Sequence, residues 1–138
     1  MSTRSIIAEP TATGWQGRYC HWDGYPQAKE TELFLLVVRD GIDKVRQTII
    51  HDHLSWSCID PDKKELGTYD SDGRFKLVEG YGVAHLDMEP GEGLFTDKDS
   101  DFGWAEYLYI LKDDCLEMYD MGGELLGTRE WVFPRVMA

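Results

Sequence analysis

A chain of 138 residues, 42% hydrophobic and 29% charged, has the size and composition of one globular domain able to bury roughly two-thirds of its unfolded surface. Its 14 Lys/Arg against 26 Asp/Glu leave a formal charge of −12, which excludes a protein that grips nucleic acid through cation-to-phosphate contacts. Three cysteines without a Cys-x-x-Cys pair, and no apolar run longer than Leu33 to Val38, exclude a disulfide scaffold and a membrane span.

Ser5-Ile6-Ile7-Ala8-Glu9 and the segment Gly14 to Trp22 read as strands joined by a Pro10-Thr11-Ala12-Thr13 loop, so the chain opens with a hairpin. Asp23-Gly24-Tyr25-Pro26 is a turn, with Pro26 suited to a helix start. A first helix is predicted over about residues 27–39, apolar all round at Leu33 to Val38 and therefore buried on more than one side. Gly41 closes it, and Ile42, Val45, Ile49, Ile50 and Leu54 recur at helical spacing, predicting an amphipathic second helix over about residues 42–54.

From Asp60 the pattern turns to β. Arg74 to Val78 alternates, Gly80 to Leu86 follows, and residues 87–103, with Pro90, Gly91, Gly93 and dense acid, read as a long exposed loop. Trp104 to Leu111, Cys115 to Tyr119 and Leu125 to Phe133 then form a meander with Asp113-Asp114 and Gly122-Gly123 at its turns. The expectation is a single α+β domain over residues 1–138: an antiparallel sheet, made of the N-terminal hairpin and the C-terminal meander, with two consecutive helices packed on one face.

Charge is unevenly placed. Residues 1–58 are nearly balanced, whereas residues 87–120 hold eleven carboxylates against Lys98 and Lys112. One reading is a solvated acidic surface. The other is a docking face for a protein partner at Asp97, Asp99, Asp101, Phe102 and Trp104, where aromatics amid acid supply an apolar anchor inside a charged rim.

The segment Ser2-Thr3-Arg4-Ser5-Ile6-Ile7-Ala8, followed by Gly17-Arg18-Tyr19-Cys20-His21-Trp22-Asp23-Gly24-Tyr25-Pro26, resembles a family of small proteins of bacteriophages and mobile elements. Members begin with a Ser-Thr-Arg-Ser-like strand and carry a Tyr-x-His-Trp-Asp-Gly-Tyr-Pro segment. Gly80-Tyr81-Gly82-Val83 and Glu106-Tyr107-Leu108-Tyr109 are similar to the family more loosely. The resemblance implies a setting rather than a reaction: a phage or prophage accessory protein in the cytoplasm of a bacterial host, binding a host protein in host takeover or anti-defence.

The same segment has a chemistry of its own. Arg4 and Asp23 lie at neighbouring strand ends, where a bidentate pair would clamp the hairpin to the turn; Asp23 could equally cap the following helix. A polar pocket of Arg4, Arg18, His21, Trp22, Asp23 and Tyr25 would suit an anionic planar ligand such as a nucleotide. Exposure of Ser2 by loss of Met1 would be the start of an N-terminal nucleophile amidohydrolase, a remote alternative in a chain without a single Asn.

His51-Asp52-His53 puts two imidazoles on opposite sides of a helix, and Asp97-Lys98-Asp99-Ser100-Asp101 lacks the glycine and distal glutamate of a calcium loop. No metal, cofactor or catalytic residue is therefore assigned, and a binding role is expected over an enzymatic one. Cys20, beside His21 on a strand, is read as a small core residue.

Overall fold

Alternation along the strands decides which face each side chain serves. In the computed structural model, which describes residues 3–69, 73–86 and 93–132, nine strands form one sheet: β1 (Ser5–Pro10), β2 (Trp15–Cys20), β3 (Trp56–Ile59), β4 (Phe75–Val78), β5 (Gly82–His85), β6 (Leu94–Thr96), β7 (Tyr107–Leu111), β8 (Cys115–Asp120) and β9 (Leu125–Glu130). Their order is β4-β5-β3-β2-β1-β7-β8-β9, with β6 on β2 beside that path. The sheet is mostly antiparallel and backed by helices α1 (Pro26–Asp40) and α2 (Ile42–Arg46), an α+β fold.

Two pairings are parallel rather than antiparallel. β1 runs alongside β7 from Ser5↔Tyr107 to Ala8↔Ile110, and β2 meets β3 at Cys20↔Trp56. The N-terminal hairpin thus sits in the middle of the sheet, where Ile6, Ile7 and Ala8 are wholly buried. Ile7, Cys20, Tyr109, Leu111, Leu116 and Met118 face the helices and form the larger core with Leu33, Leu36, Val37, Val45, Ile49 and Trp56. Ile6, Ala8 and Leu108 point the other way, into a smaller cluster with Trp15, Phe95, Phe102, Tyr119 and Met121.

The predicted helices form, with three differences. α1 buries one side only, Lys29, Leu33, Leu36 and Val37, and leaves Leu35 49% exposed. Its N-cap is Tyr25, not Asp23, and no side chain caps it; Pro26, at the start of the helix, has no N–H to satisfy. Gly41 at φ 89° does close the helix, its N–H bonding to the Val37 carbonyl.

The second helix keeps its α winding only to Arg46. Gln47–His51 is a π turn, closed by Asp52 N–H on the Gln47 carbonyl at 2.9 Å, and helical structure ends at His51. The end carbonyls are taken by side chains from elsewhere: His53 Nδ1 on Thr48 (2.7 Å), Trp56 Nε1 on Ile49 (2.9 Å) and Arg18 Nε on Ile50 (2.7 Å). Orphan carbonyls at a buried helix end cost free energy unless paired, and the bonds from Arg18 and Trp56 tie the turn to β2 and β3.

Residues 93–103 are not wholly loop. β6 pairs antiparallel with β2 from Gln16↔Thr96 to Arg18↔Leu94 and brings the acidic segment onto the sheet face away from the helices. The acids Asp87, Glu89 and Glu92, together with Phe133, lie outside the described residues. No helix among those described is long and apolar enough to cross a membrane.

Two buried phenols make the fold sensitive to alkali. Burial pushes Tyr81 up to about 12, helped by the Asp40 carboxylate that its hydroxyl donates to. Burial also pushes Tyr109 far above the usual range, with Tyr107 adding to it, and its hydroxyl donates to the Gly24 carbonyl. Unfolded, both phenols ionise near pH 10, so the folded chain holds more protons above that pH and stability falls as pH rises. Urea denaturation between pH 10 and the folded Tyr81 value of about 12 should show a loss of about 1.4 kcal/mol per pH unit for each phenol. Tyr109→Phe should remove one share of that slope. A flat profile would mean neither hydroxyl is held as described.

Candidate functional site

The segment around Asp97 is bound to the start of β2 through the backbone. Asp97 N–H donates to the Trp15 carbonyl (3.3 Å) and Trp15 N–H donates to Asp97 Oδ1 (3.2 Å). Gly14 permits this approach: a Cβ there would stand 2.2 Å from the Asp97 carboxyl carbon. Asp99 accepts from Thr96 N–H at 2.7 Å and Asp101 from Gly103 N–H at 3.0 Å, folding the segment back so that Phe102 packs on Trp15 and Phe95 at 5.9 and 6.4 Å between ring centroids.

Between this segment and the β8–β9 turn lies a groove of about 530 Å³. Its floor is Leu108, Ile110, Met121 and the rings of Trp15, Phe102 and Tyr119; its rim carries Asp97, Asp99 and Asp120. Among the described residues no basic side chain lines it. Asp120 accepts from Glu124 N–H at 2.9 Å, which fixes the turn and leaves the carboxylate charge in place. Carboxylates around an apolar, aromatic floor attract a cation and can bury an apolar side chain beside it.

Of the residues predicted for partner binding, Asp97, Asp99 and Phe102 thus share one groove. Asp101 is spent on its own turn outside the lining, and Trp104 stands 84% exposed at φ 69°. Trp15, Tyr119, Asp120 and Met121 were not singled out from sequence, since their joining depends on β7 and β8 following β1 in the sheet.

The residues expected to form an anion pocket are divided by the sheet. Arg18 shares a face with Cys20 and reaches the π turn, whereas His21 bonds through Nδ1 to the Tyr19 hydroxyl at 2.8 Å. Burial, aided by Arg4, lowers the His21 pKa and keeps the ring neutral at neutral pH, while burial raises Tyr19 against the pull of Arg4. Arg4 and Asp23 form no ion pair; Arg4 lies by Tyr19 and His21 with Nε buried and unbonded. Asp23 takes the left-handed conformation (φ 55°) of an elbow held by Gly24 N–H on the Thr3 carbonyl at 2.8 Å. Tyr25 is 41% exposed ahead of α1.

His21 and Trp22 line a second cleft, of about 540 Å³, with Ser57, Thr68, Tyr69, Arg74, Phe75 and His85. Only the first two were expected there; the others arrive because β3, β4 and β5 follow the end of β2 in the sheet.

Elsewhere the reactive groups serve the fold. Lys29, fully buried, places Nζ 2.9 Å from Glu32 and 3.6 Å from Cys20. Burial opposes its charge, but the Cys20 and Glu32 side chains outweigh that and hold its pKa above the usual lysine value. Burial raises the Cys20 thiol despite Lys29, as expected of a core cysteine rather than a nucleophile. His51 pairs with Glu9 at 2.8 Å and His53 is engaged at Thr48. Among the described residues no group of three or more His, Cys, Asp or Glu is placed to hold a metal ion, and Met1 and Ser2 lie outside them. No family model, curated protein or solved structure matches the chain.

Proposed function

We propose that this chain is a non-catalytic accessory protein of a phage or prophage that acts in the host cytoplasm by holding a basic segment of a host protein in the acidic groove. One observation carries the reading: among the described residues, three carboxylates and no base surround an apolar, aromatic floor on the sheet face that the helices leave uncovered. The N-terminal resemblance supplies the phage setting, with host takeover or anti-defence as the purpose. The occupant is a segment that pairs a lysine or arginine with an apolar neighbour, because the rim needs a cation and the floor excludes water.

The test is calorimetric titration with a short amphipathic lysine–leucine peptide and its glutamate–leucine counterpart. The basic peptide should bind and weaken as salt rises, since exposed carboxylates are screened beyond about 10 Å at 0.1 M ionic strength. Equal binding of both peptides, or of neither, would refute the assignment.

A further inference from the structure

Phe102 to Ala105 is a tight turn. Ala105 N–H donates to the Phe102 carbonyl at 3.2 Å, and both central residues, Gly103 (φ 64°) and Trp104 (φ 69°), are left-handed. Turns of this hand are dominated by Gly, Asn and Asp, because a Cβ on a left-handed residue crowds the following carbonyl. Trp104 stands where a second glycine would be relaxed, and a bulky side chain there strains the backbone.

Packing does not offset that strain. Trp104 is 84% exposed, more than any other large hydrophobic residue among those described. Leading the chain from Phe102 towards β7 is a task for the backbone, and a glycine would do it with less strain. The surroundings are acidic: Asp99, Asp101 and Glu106 are exposed on either side, and no Lys or Arg occurs between Asp99 and Leu111. Phe102 lines the acidic groove and lies two residues away, so its Cα is within about 7.6 Å of that of Trp104.

We infer that Trp104 is a second anchor for the basic segment, outside the groove, its indole taking a further lysine or arginine of the same partner. This role rests on the groove seating that segment. An indole face attracts a cation, the flanking carboxylates add to the pull, and tryptophan is among the residues that dominate binding energy at interfaces.

Calorimetric titration of the full chain with the lysine–leucine peptide tests it in the wild type, Trp104→Ala and Trp104→Gly, with melting temperatures measured alongside. Both substitutions should weaken the peptide about tenfold. Trp104→Gly should melt about 2–4 °C above Trp104→Ala and no lower than the wild type, since only glycine relaxes the turn. If the wild type binds the peptide and both variants bind it equally well, the groove stands and the role of Trp104 falls. If the wild type does not bind, both fall. A lower melting temperature in Trp104→Gly than in the wild type would assign the indole to the fold instead. A wild-type dimer in sedimentation equilibrium that Trp104→Gly dissolves would assign it to a second copy of this chain. Either of these results overturns the anchor.

Discussion

Trp56→Ala should cost about 5 kcal/mol of folding stability, a third or more of what a domain of this size has in hand. Trp56 is wholly buried on the central strand β3, beside the His53 ring at 5.0 Å and paired to Cys20 of β2. Removing the indole leaves a cavity worth about 3–5 kcal/mol and strips the Ile49 carbonyl of its donor. Trp56→Phe separates the two effects: it keeps most of the volume, loses only the N–H, and should cost about 2 kcal/mol. Urea denaturation measures both. If phenylalanine proves neutral, the bond from Trp56 to the π turn contributes nothing and the turn is held by packing alone.

The second large effect is on binding. Asp97→Asn, Asp99→Asn and Asp120→Asn together remove the rim charge yet keep an oxygen for the backbone N–H that each carboxylate accepts from. The fold should therefore persist while affinity for the basic peptide falls about tenfold at low salt, each exposed charge contributing about 0.2–1 kcal/mol. The salt dependence should shrink with it. An unchanged affinity in the triple variant would show that the carboxylates form only a solvated surface.

What the sequence made legible follows from the range of the interactions involved. The hairpin, the break at Gly41, the helical middle and the final strands are set by local alternation, turn chemistry and apolar spacing, and each was predicted near its observed place. β3 escaped because it follows directly on the helical stretch, and β6 because its three residues lie amid the glycines and acids of residues 87–103. The parallel pairing of β1 with β7 joins residues a hundred positions apart, and local pattern has no bearing on it. The π turn likewise had no local sign; it is stabilised by Arg18, His53 and Trp56 reaching its carbonyls.

The sites divide the same way. The acidic, aromatic stretch Asp97 to Phe102 stood out by composition, but its groove needed Trp15 from β2 and the β8–β9 turn. The expectation for Arg4, Arg18, His21, Trp22, Asp23 and Tyr25 rested on nearness in sequence. On a strand, alternate residues serve opposite faces, which is why Arg18 parts from Tyr19.

Nuclear magnetic resonance mapping of the lysine–leucine peptide on the labelled chain tests the central claim most directly. Backbone shifts should concentrate at Gly14, Trp15, Asp97 to Phe102 and Tyr119 to Gly123, the residues around the groove. Shifts centred on the helices α1 and α2, or spread evenly over the exposed acids, would contradict it.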